Sequence, residues 1–276
     1  MTLTQESFSF VATLVRTKSA INLAPGKEYL VESRLTPIAR SHGKTVEQYL
    51  AEQRSRLSHS EAERIVEALT TNETSWFRDN QPFTALTDHI LPDLKAQRGM
   101  LGTLKVWSAA CSTGQEPYSI AMVLTDWFTA QSGPKPITEI IATDLNQEVL
   151  GKAQRGRYSQ LEVNRGLPAT HLVRHFERDG AEWALSKDIR SMVRFTRHNL
   201  LDHPPMGGPF DVVFLRNVLI YFDVQVKRDV LAKVRKVLKP GGYLILGAAE
   251  TTVGVDDSWT RVQVGRSSIY QNTVGK

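Results

Sequence analysis

Between Val106 and Ser119 the chain reads Val-Trp-Ser-Ala-Ala-Cys-Ser-Thr-Gly-Gln-Glu-Pro-Tyr-Ser, with small residues crowded into its middle. Side chains of that size let a ligand approach the backbone, and an apolar helix starting just beyond them turns its free N–H groups toward that ligand. A second apolar run, Ile137 to Thr143, ends in Asp144, an acid able to accept both hydroxyls of a ribose. Only Gly114 stands where a dinucleotide loop needs the full G-x-G-x-x-G, so the pattern favours a smaller adenosyl ligand. Polar residues also follow later apolar runs, at His198-Asn199-Leu200 and at Arg216-Asn217. Glu116 suits an ammonium group, Asn199 offers an amide to an adenine edge, and Leu200 adds backbone and apolar contact.

Each of these positions alone also fits a plainer role. Asp144 suits a helix N-cap, and Glu116 is a first-turn acid favoured by the helix dipole. Their recurrence at equivalent ends of successive apolar runs is what argues for a site. A further cluster, Thr71-Asn72-Glu73-Thr74-Ser75-Trp76-Phe77-Arg78-Asp79, reads either as a capped helix start or as a lid. In the lid reading, Trp76 and Phe77 lie beside Arg78 over a charged ligand. Cys111 is the single cysteine, so a disulfide framework is excluded, and it reads as a small residue in a crowded loop. His171 and His175 share an i,i+4 face, but the glutamate of H-E-x-x-H is missing and no third ligand is evident, so no metal is expected.

These residues need elements to hold them. Residues 1 to about 90 read as all-helical: Phe8, Val11, Leu14 and Val15 follow helical spacing, as do Tyr29, Leu30, Leu35 and Ile38, then Ile65, Val66 and Leu69. Pro37 is expected to bend or break the second helix. Gln81 to Arg98 reads as a connecting helix that Pro92 kinks. From about 99 to the end, strand-like runs (Thr103–Trp107, Glu139–Thr143, Val193–Thr196, Asp211–Leu215, Tyr243–Leu246) alternate with helical ones (Pro117–Ala130, Asn146–Gln154, Val224–Val237). That alternation predicts an α/β fold, a parallel sheet with helices on both faces. Within it, about 156–192 reads as an insertion, with a small β-hairpin suggested by Gly180, Trp183 and Leu185.

The composition is that of an ordinary globular chain, 41% hydrophobic and 23% charged, with a net charge of +5. A basic balance fits an acidic partner without choosing among nucleic acid, membrane surface and protein. Met1 to Glu6 has neither a basic leader nor a long apolar run, and no apolar stretch approaches a membrane span. A cytoplasmic location without membrane insertion is expected.

Taken together, T-N-E-T-x-x-F-R-D, W-S-A-A-C-S-T-G-Q-E-P-Y-S, T-D-L-N, N-L-L, F-D-V-V-F-L-R-N-V-L-I-Y-F and L-K-P-G-G-Y-L resemble the CheR family over nearly the whole chain. That family comprises bacterial S-adenosylmethionine-dependent methyltransferases acting on glutamates of chemotaxis receptors. The resemblance implies a Rossmann-like class I methyltransferase sheet with a small β insertion, preceded by an all-helical N-terminal domain. It implies that Asn72, Thr74, Arg78, Glu116, Asp144, Asn199, Leu200, Arg216 and Asn217 contact S-adenosylmethionine, and that no metal takes part. Tyr221 would lie near the transferred methyl, with Arg78 as the other catalytic candidate. The helix carrying Lys27, Arg34 and Arg40 would meet acidic helices of the receptor's cytoplasmic domain. Some members hold a receptor-terminal peptide on a β-hairpin; the corresponding region, about Phe176 to Val193, is shorter here, which argues against such a tether. The resemblance leaves open a regulatory protein partner, the receptor concerned and the oligomeric state.

Two rivals can be weighed on residues. Amino-group methylation of nucleic acid uses an Asn/Asp-Pro-Pro-aromatic turn after the fourth strand, where this chain has Arg216-Asn217-Val218-Leu219. C5 methylation needs a cysteine there, and none exists. The other rival is a module that binds the cofactor without transferring its methyl.

Overall fold

The apolar runs after residue 100 assemble into one sheet. A computed structural model describes residues 3–99, 102–132, 135–265 and 267–273. Its strands are β1 (Thr103–Ala109), β2 (Ile137–Asp144), β3 (Arg157–Ser159), β4 (Phe176–Asp179), β5 (Glu182–Leu185), β6 (Val193–Arg197), β7 (Phe210–Leu215), β8 (Leu238–Leu246), β9 (Thr260–Val264) and β10 (Ser267–Gln271). Among the described residues the main sheet runs β6-β2-β1-β7-β8-β10-β9. The pairs from β6 to β8 are parallel, whereas β10 pairs antiparallel with both β8 and β9.

The order explains the site's location. From β1 the chain moves outward through β2 to β6, then returns to lay β7 on the other flank of β1. Helices leaving the carboxyl ends of β1 and β7 therefore diverge, and the crevice between them is where such sheets receive ligands. β7 is buried at all six positions, as expected for an inner parallel strand covered on both faces. β6, at the sheet edge, has exposed Arg194, Thr196 and Arg197.

Several elements differ from the sequence-based expectation for physical reasons. β1 extends through Ser108 and Ala109, whose small side chains hide their strand character but leave them fully enclosed. The antiparallel pair β9–β10 was not predicted, and its apolar anchors Ile269 and Tyr270 are buried. Pro92 does not break its helix; a π-helical turn, Leu86–Ile90, joins Gln81–Ala85 to Leu91–Arg98. Widening the turn there avoids the clash of a proline ring with the preceding carbonyl. The insertion carries a three-stranded sheet, β3-β5-β4, and the helix Ala169–His175.

Contacts divide the chain into two units, one comprising residues up to Thr71 with Tyr221–Val226, the other Asn72–Ile220 with Lys227 onward. The first unit is helical: Gln5–Ser19, Glu28–Ser41, Val46–Ser55 and His59–Leu69. Thr4, Thr45 and Ser58 cap three of these helices by accepting from the N–H groups of Ser7, Gln48 and Glu61. Glu28–Ser41 runs unbroken through Pro37. Phe8, Val11, Val15, Val31, Leu35, Tyr49, Leu50, Ile65, Val66 and Leu69 are buried, while Tyr29 is 63% exposed and leaves the expected apolar face. No helix among the described residues is long and apolar enough to cross a membrane.

Candidate active site

Backbone geometry shapes the loop between β1 and the helix Gln115–Ala130. Ala110 and Ser112 take left-handed φ values of 59° and 51°, and Gly114 closes the turn at 92°. A Cβ on Gly114 would come within 2.9 Å of Ala153 Cβ and 3.1 Å of the Tyr158 hydroxyl, so only glycine fits. Gly114 is also the helix N-cap and brings no side chain to cap the first turn. Those N–H groups are thereby left to solvent or to a ligand.

Asp144 reaches this loop from the end of β2. One carboxylate oxygen accepts from Ser112 N at 2.8 Å and the other from Asn146 N at 2.9 Å. The cap of the following helix is Asn146, whose Oδ1 accepts from Glu148 N and Val149 N, so Asp144 is not that cap. These two backbone bonds fix the plane of the carboxylate beside the loop.

Glu116 lies in the first turn of the helix, 9% exposed. It accepts from Ser108 Oγ at 2.8 Å and from Arg216 Nη1 at 2.8 Å. Arg216 leaves β7 with its side chain 1% exposed; its Nη2 donates to Asp79 Oδ2 at 2.7 Å and to the Arg78 carbonyl at 2.8 Å. Both terminal nitrogens are thus bonded to protein groups, tying the 72–79 segment to the sheet, while Nε is buried without a hydrogen-bond partner. Asn217, at φ 58°, donates its N–H to Glu250 Oε2 at 2.7 Å, and Gly247 N donates to the same oxygen. Sequence reasoning missed Asp79, Ser108 and Glu250 as partners in this network. Of the three, only Glu250 carried a signal in the sequence, an acid just past the end of β8.

The segment from Asn72 to Asp79 is not helical, with turns at 76–79, and the next helix starts only at Gln81, with Asn80 as its N-cap. The Asn72 carbonyl accepts from Ser112 Oγ at 2.7 Å, which fastens it to the loop. Thr74 is half-buried in the same stretch, and Arg78 Nη1 donates to the Glu73 carbonyl at 3.0 Å. Phe77, Asp79 and Asn80 all have positive φ, strained geometry that turns Asp79 toward Arg216. Trp76 is not part of a lid: it is 1% exposed and packs edge-on against Tyr158 and Phe176. Farther along the sheet, Asn199 Oδ1 accepts from Leu201 N at 3.1 Å, and the Leu200 carbonyl accepts from Lys233 at 3.4 Å.

Burial shifts the two titratable side chains beside this loop and strand end in opposite directions. Burial, reinforced by Asp144 and Glu116, pushes the Cys111 thiol well above its ordinary pKa and keeps it protonated. Burial lowers the His198 imidazole, whose ring rests edge-on to Trp107.

Tyr221 is half-buried, ends the 3₁₀ turn Leu219–Tyr221, and accepts from Asn22 N through its carbonyl at 3.2 Å. Arg34 donates to the carbonyls of Ala68 and Thr70, satisfying the end of the helix His59–Leu69. Lys27 and Arg40 are exposed, and the Lys27 ammonium lies 5.8 Å from the Tyr29 ring centre.

The sheet order, the glycine-closed loop and the acid ending β2 define a class I, Rossmann-like S-adenosylmethionine-binding methyltransferase. The comparisons narrow this. Residues 72–267 match the family described as CheR methyltransferase, SAM binding domain, and residues 6–70 match CheR methyltransferase, all-alpha domain. Chemotaxis protein methyltransferase Cher2 of Pseudomonas putida is 43% identical over 259 residues, 91% of this chain and 92% of that protein. Chemotaxis protein methyltransferase 1 of Pseudomonas aeruginosa is 41% identical over 278 residues, 98% of this chain and 99% of that protein. The Escherichia coli chemotaxis protein methyltransferase is 36% identical over 256 residues, 91% of this chain and 86% of that protein. The chain belongs to the CheR family of chemotaxis protein methyltransferases, and it is an enzyme.

Proposed function

We propose that this protein methylates glutamate side chains on the cytoplasmic helices of a chemotaxis receptor. The products are glutamate methyl esters and S-adenosylhomocysteine, and the reaction takes place in the cytoplasm. The observation that supports the reading best is Asp144, held by two backbone N–H groups beside a helix start that no side chain caps. In this reading Asp144 receives the ribose hydroxyls, and Asn199 and Leu200 border the adenine. Glu116, oriented by Arg216, draws the amino group of the methionine moiety, and Arg216 and Asn217 border the cofactor. Asn72, Thr74 and Arg78 close over the ligand, and Tyr221 borders the methyl group. When bound, S-adenosylmethionine supplies a sulfonium methyl open to in-line attack by a carboxylate oxygen.

The incoming glutamate has an ordinary pKa of about 4.3, so it arrives ionised and needs no general base. That agrees with a loop whose buried thiol stays protonated. Joining a carboxylate to a sulfonium disperses charge, so alignment contributes more than transition-state charge stabilisation. A cation beside the substrate keeps its carboxylate ionised as water leaves. Arg78, half-buried and bonded through Nη1 to the Glu73 carbonyl, suits that task or the holding of the methionine carboxylate. Arg78→Ala should therefore lose methyl transfer by about 100-fold or more while melting within a degree or two of wild type. Unchanged turnover in a radiolabel assay would take Arg78 out of the reaction.

On the helical unit, Lys27 and Arg40 are the residues we assign to the acidic receptor helices; Arg34 has an internal bonding role as well. Lys27→Glu with Arg40→Glu should raise KM for the receptor domain roughly tenfold at low salt, with kcat kept. The gap should close as salt rises, and a salt-independent KM equal to wild type would exclude this face. The reading as a whole is tested by incubating the enzyme with methyl-labelled S-adenosylmethionine and a receptor cytoplasmic domain. Label released as methanol by mild base is expected, because carboxyl methyl esters hydrolyse and methylamines do not. Base-stable label, or none, would reject it.

A further inference from the structure

Away from the adenosyl loop, the fold brings together three groups that the methyl-transfer reading does not use. His171 and His175 project from successive turns of the helix Ala169–His175 in the insertion. Asp126 approaches them from the helix Gln115–Ala130, and one ligand atom from each of the three lies within 4.8 Å of the others. The missing third ligand is thus supplied by a residue remote in sequence.

The polar atoms here are not accounted for by protein partners. His175 is 7% exposed, and its Nε2 is buried without a hydrogen-bond partner. His171 Nδ1 is also buried and unpartnered; Asp126 Oδ2 stands 3.7 Å away, beyond hydrogen-bond length. A buried ring nitrogen left in this state costs roughly 1–3 kcal/mol, so two side by side are unusual in a packed protein. Asp126 meanwhile directs its other oxygen, Oδ1, to Arg174 at 2.5 Å, which leaves Oδ2 facing the histidines. The rings are held in place: His171 stacks on Phe77 at 4.9 Å and on His175 at 5.8 Å between centres.

We propose that Asp126, His171 and His175 form a zinc-class divalent metal site that clamps the β insertion to the helix leading from the adenosyl loop. Two nitrogens and a carboxylate oxygen are zinc donors, with a water completing a tetrahedron. Bonds of about 2.1 Å space tetrahedral ligands by roughly 3.4 Å, so the side chains close by about an ångström when the ion enters. The clamp is structural, since none of the three residues belongs to the adenosyl site.

The test uses the full chain, stripped with a chelator and dialysed, then titrated with zinc against a chromophoric competitor. One zinc per chain should bind at micromolar concentration or tighter, and cobalt(II) in its place should give a visible d–d absorption band. His175→Ala and, separately, Asp126→Asn should weaken zinc by about tenfold or more and bleach the cobalt band. Asp126→Asn changes a partly exposed group, so the comparison survives if His175→Ala fails to fold. No saturable binding at micromolar zinc, or the same affinity and cobalt spectrum in both variants, would overturn the proposal. Neither result bears on methyl transfer, which is assayed separately.

Discussion

Asp144→Ala should cost the enzyme roughly 100- to 10,000-fold in kcat/KM. It should also abolish the rise in melting temperature that S-adenosylhomocysteine gives the wild type. The range follows from two hydrogen bonds to a charged acceptor, each contributing about 1.5–3 kcal/mol. The same substitution leaves Ser112 N and Asn146 N without their acceptor, and this should cost a further 1–3 kcal/mol or so of stability. The two effects separate by experiment. Asp144→Asn keeps a side-chain oxygen for one N–H and should melt nearer to wild type, yet it puts a donor where the sugar hydroxyls need acceptors. A ligand-induced shift as large in Asp144→Asn as in wild type would remove the ribose from this carboxylate.

Arg216→Met should have the largest effect on the fold. Its guanidinium is buried and joins Glu116, Asp79 and the Arg78 carbonyl. Removing one member of a buried ion pair typically costs about 3–5 kcal/mol, because the other charge stays buried alone. At about 2–4 °C per kcal/mol for a domain of this size, the melting temperature should fall by roughly 10 °C. Activity should fall too, since Glu116 loses the partner that orients it. Adding Glu116→Gln removes the stranded charge, so the double variant should recover part of the lost stability but none of the activity. If Arg216→Met melts like wild type, the pair has no bearing on stability and the positioning role falls with it.

The sequence made some of this legible and hid the rest for identifiable reasons. Parallel strands buried on both faces are near-continuous apolar runs, which is why Asp211–Leu215 and Glu139–Thr143 stood out. Asp144 could be picked because it interrupts such a run at its carboxyl end. Ser108 and Ala109 were invisible as strand because small residues carry little β signal, although Ser108 is among the groups that hold Glu116. Arg216 could be placed near the site but not given its partners, because Asp79 meets it only through three left-handed residues that no pattern announces. Trp76 suggested a lid because an aromatic beside a cation looks the same whether it faces a ligand or the core. Its neighbours there, Tyr158 and Phe176, come from the insertion, whose periodicity is unclear in sequence. Asp126 and the two histidines were unlinked for the same reason: their meeting depends on how the insertion packs on the helix Gln115–Ala130.

The most direct measurement is a crystal structure of the full chain with S-adenosylhomocysteine. The ribose hydroxyls are expected within hydrogen-bond distance of Asp144, beside the Ala110–Gly114 loop, with the amino end of the product directed to Glu116. A product bound at any other face of the sheet, or a ribose that does not touch Asp144, would contradict the account.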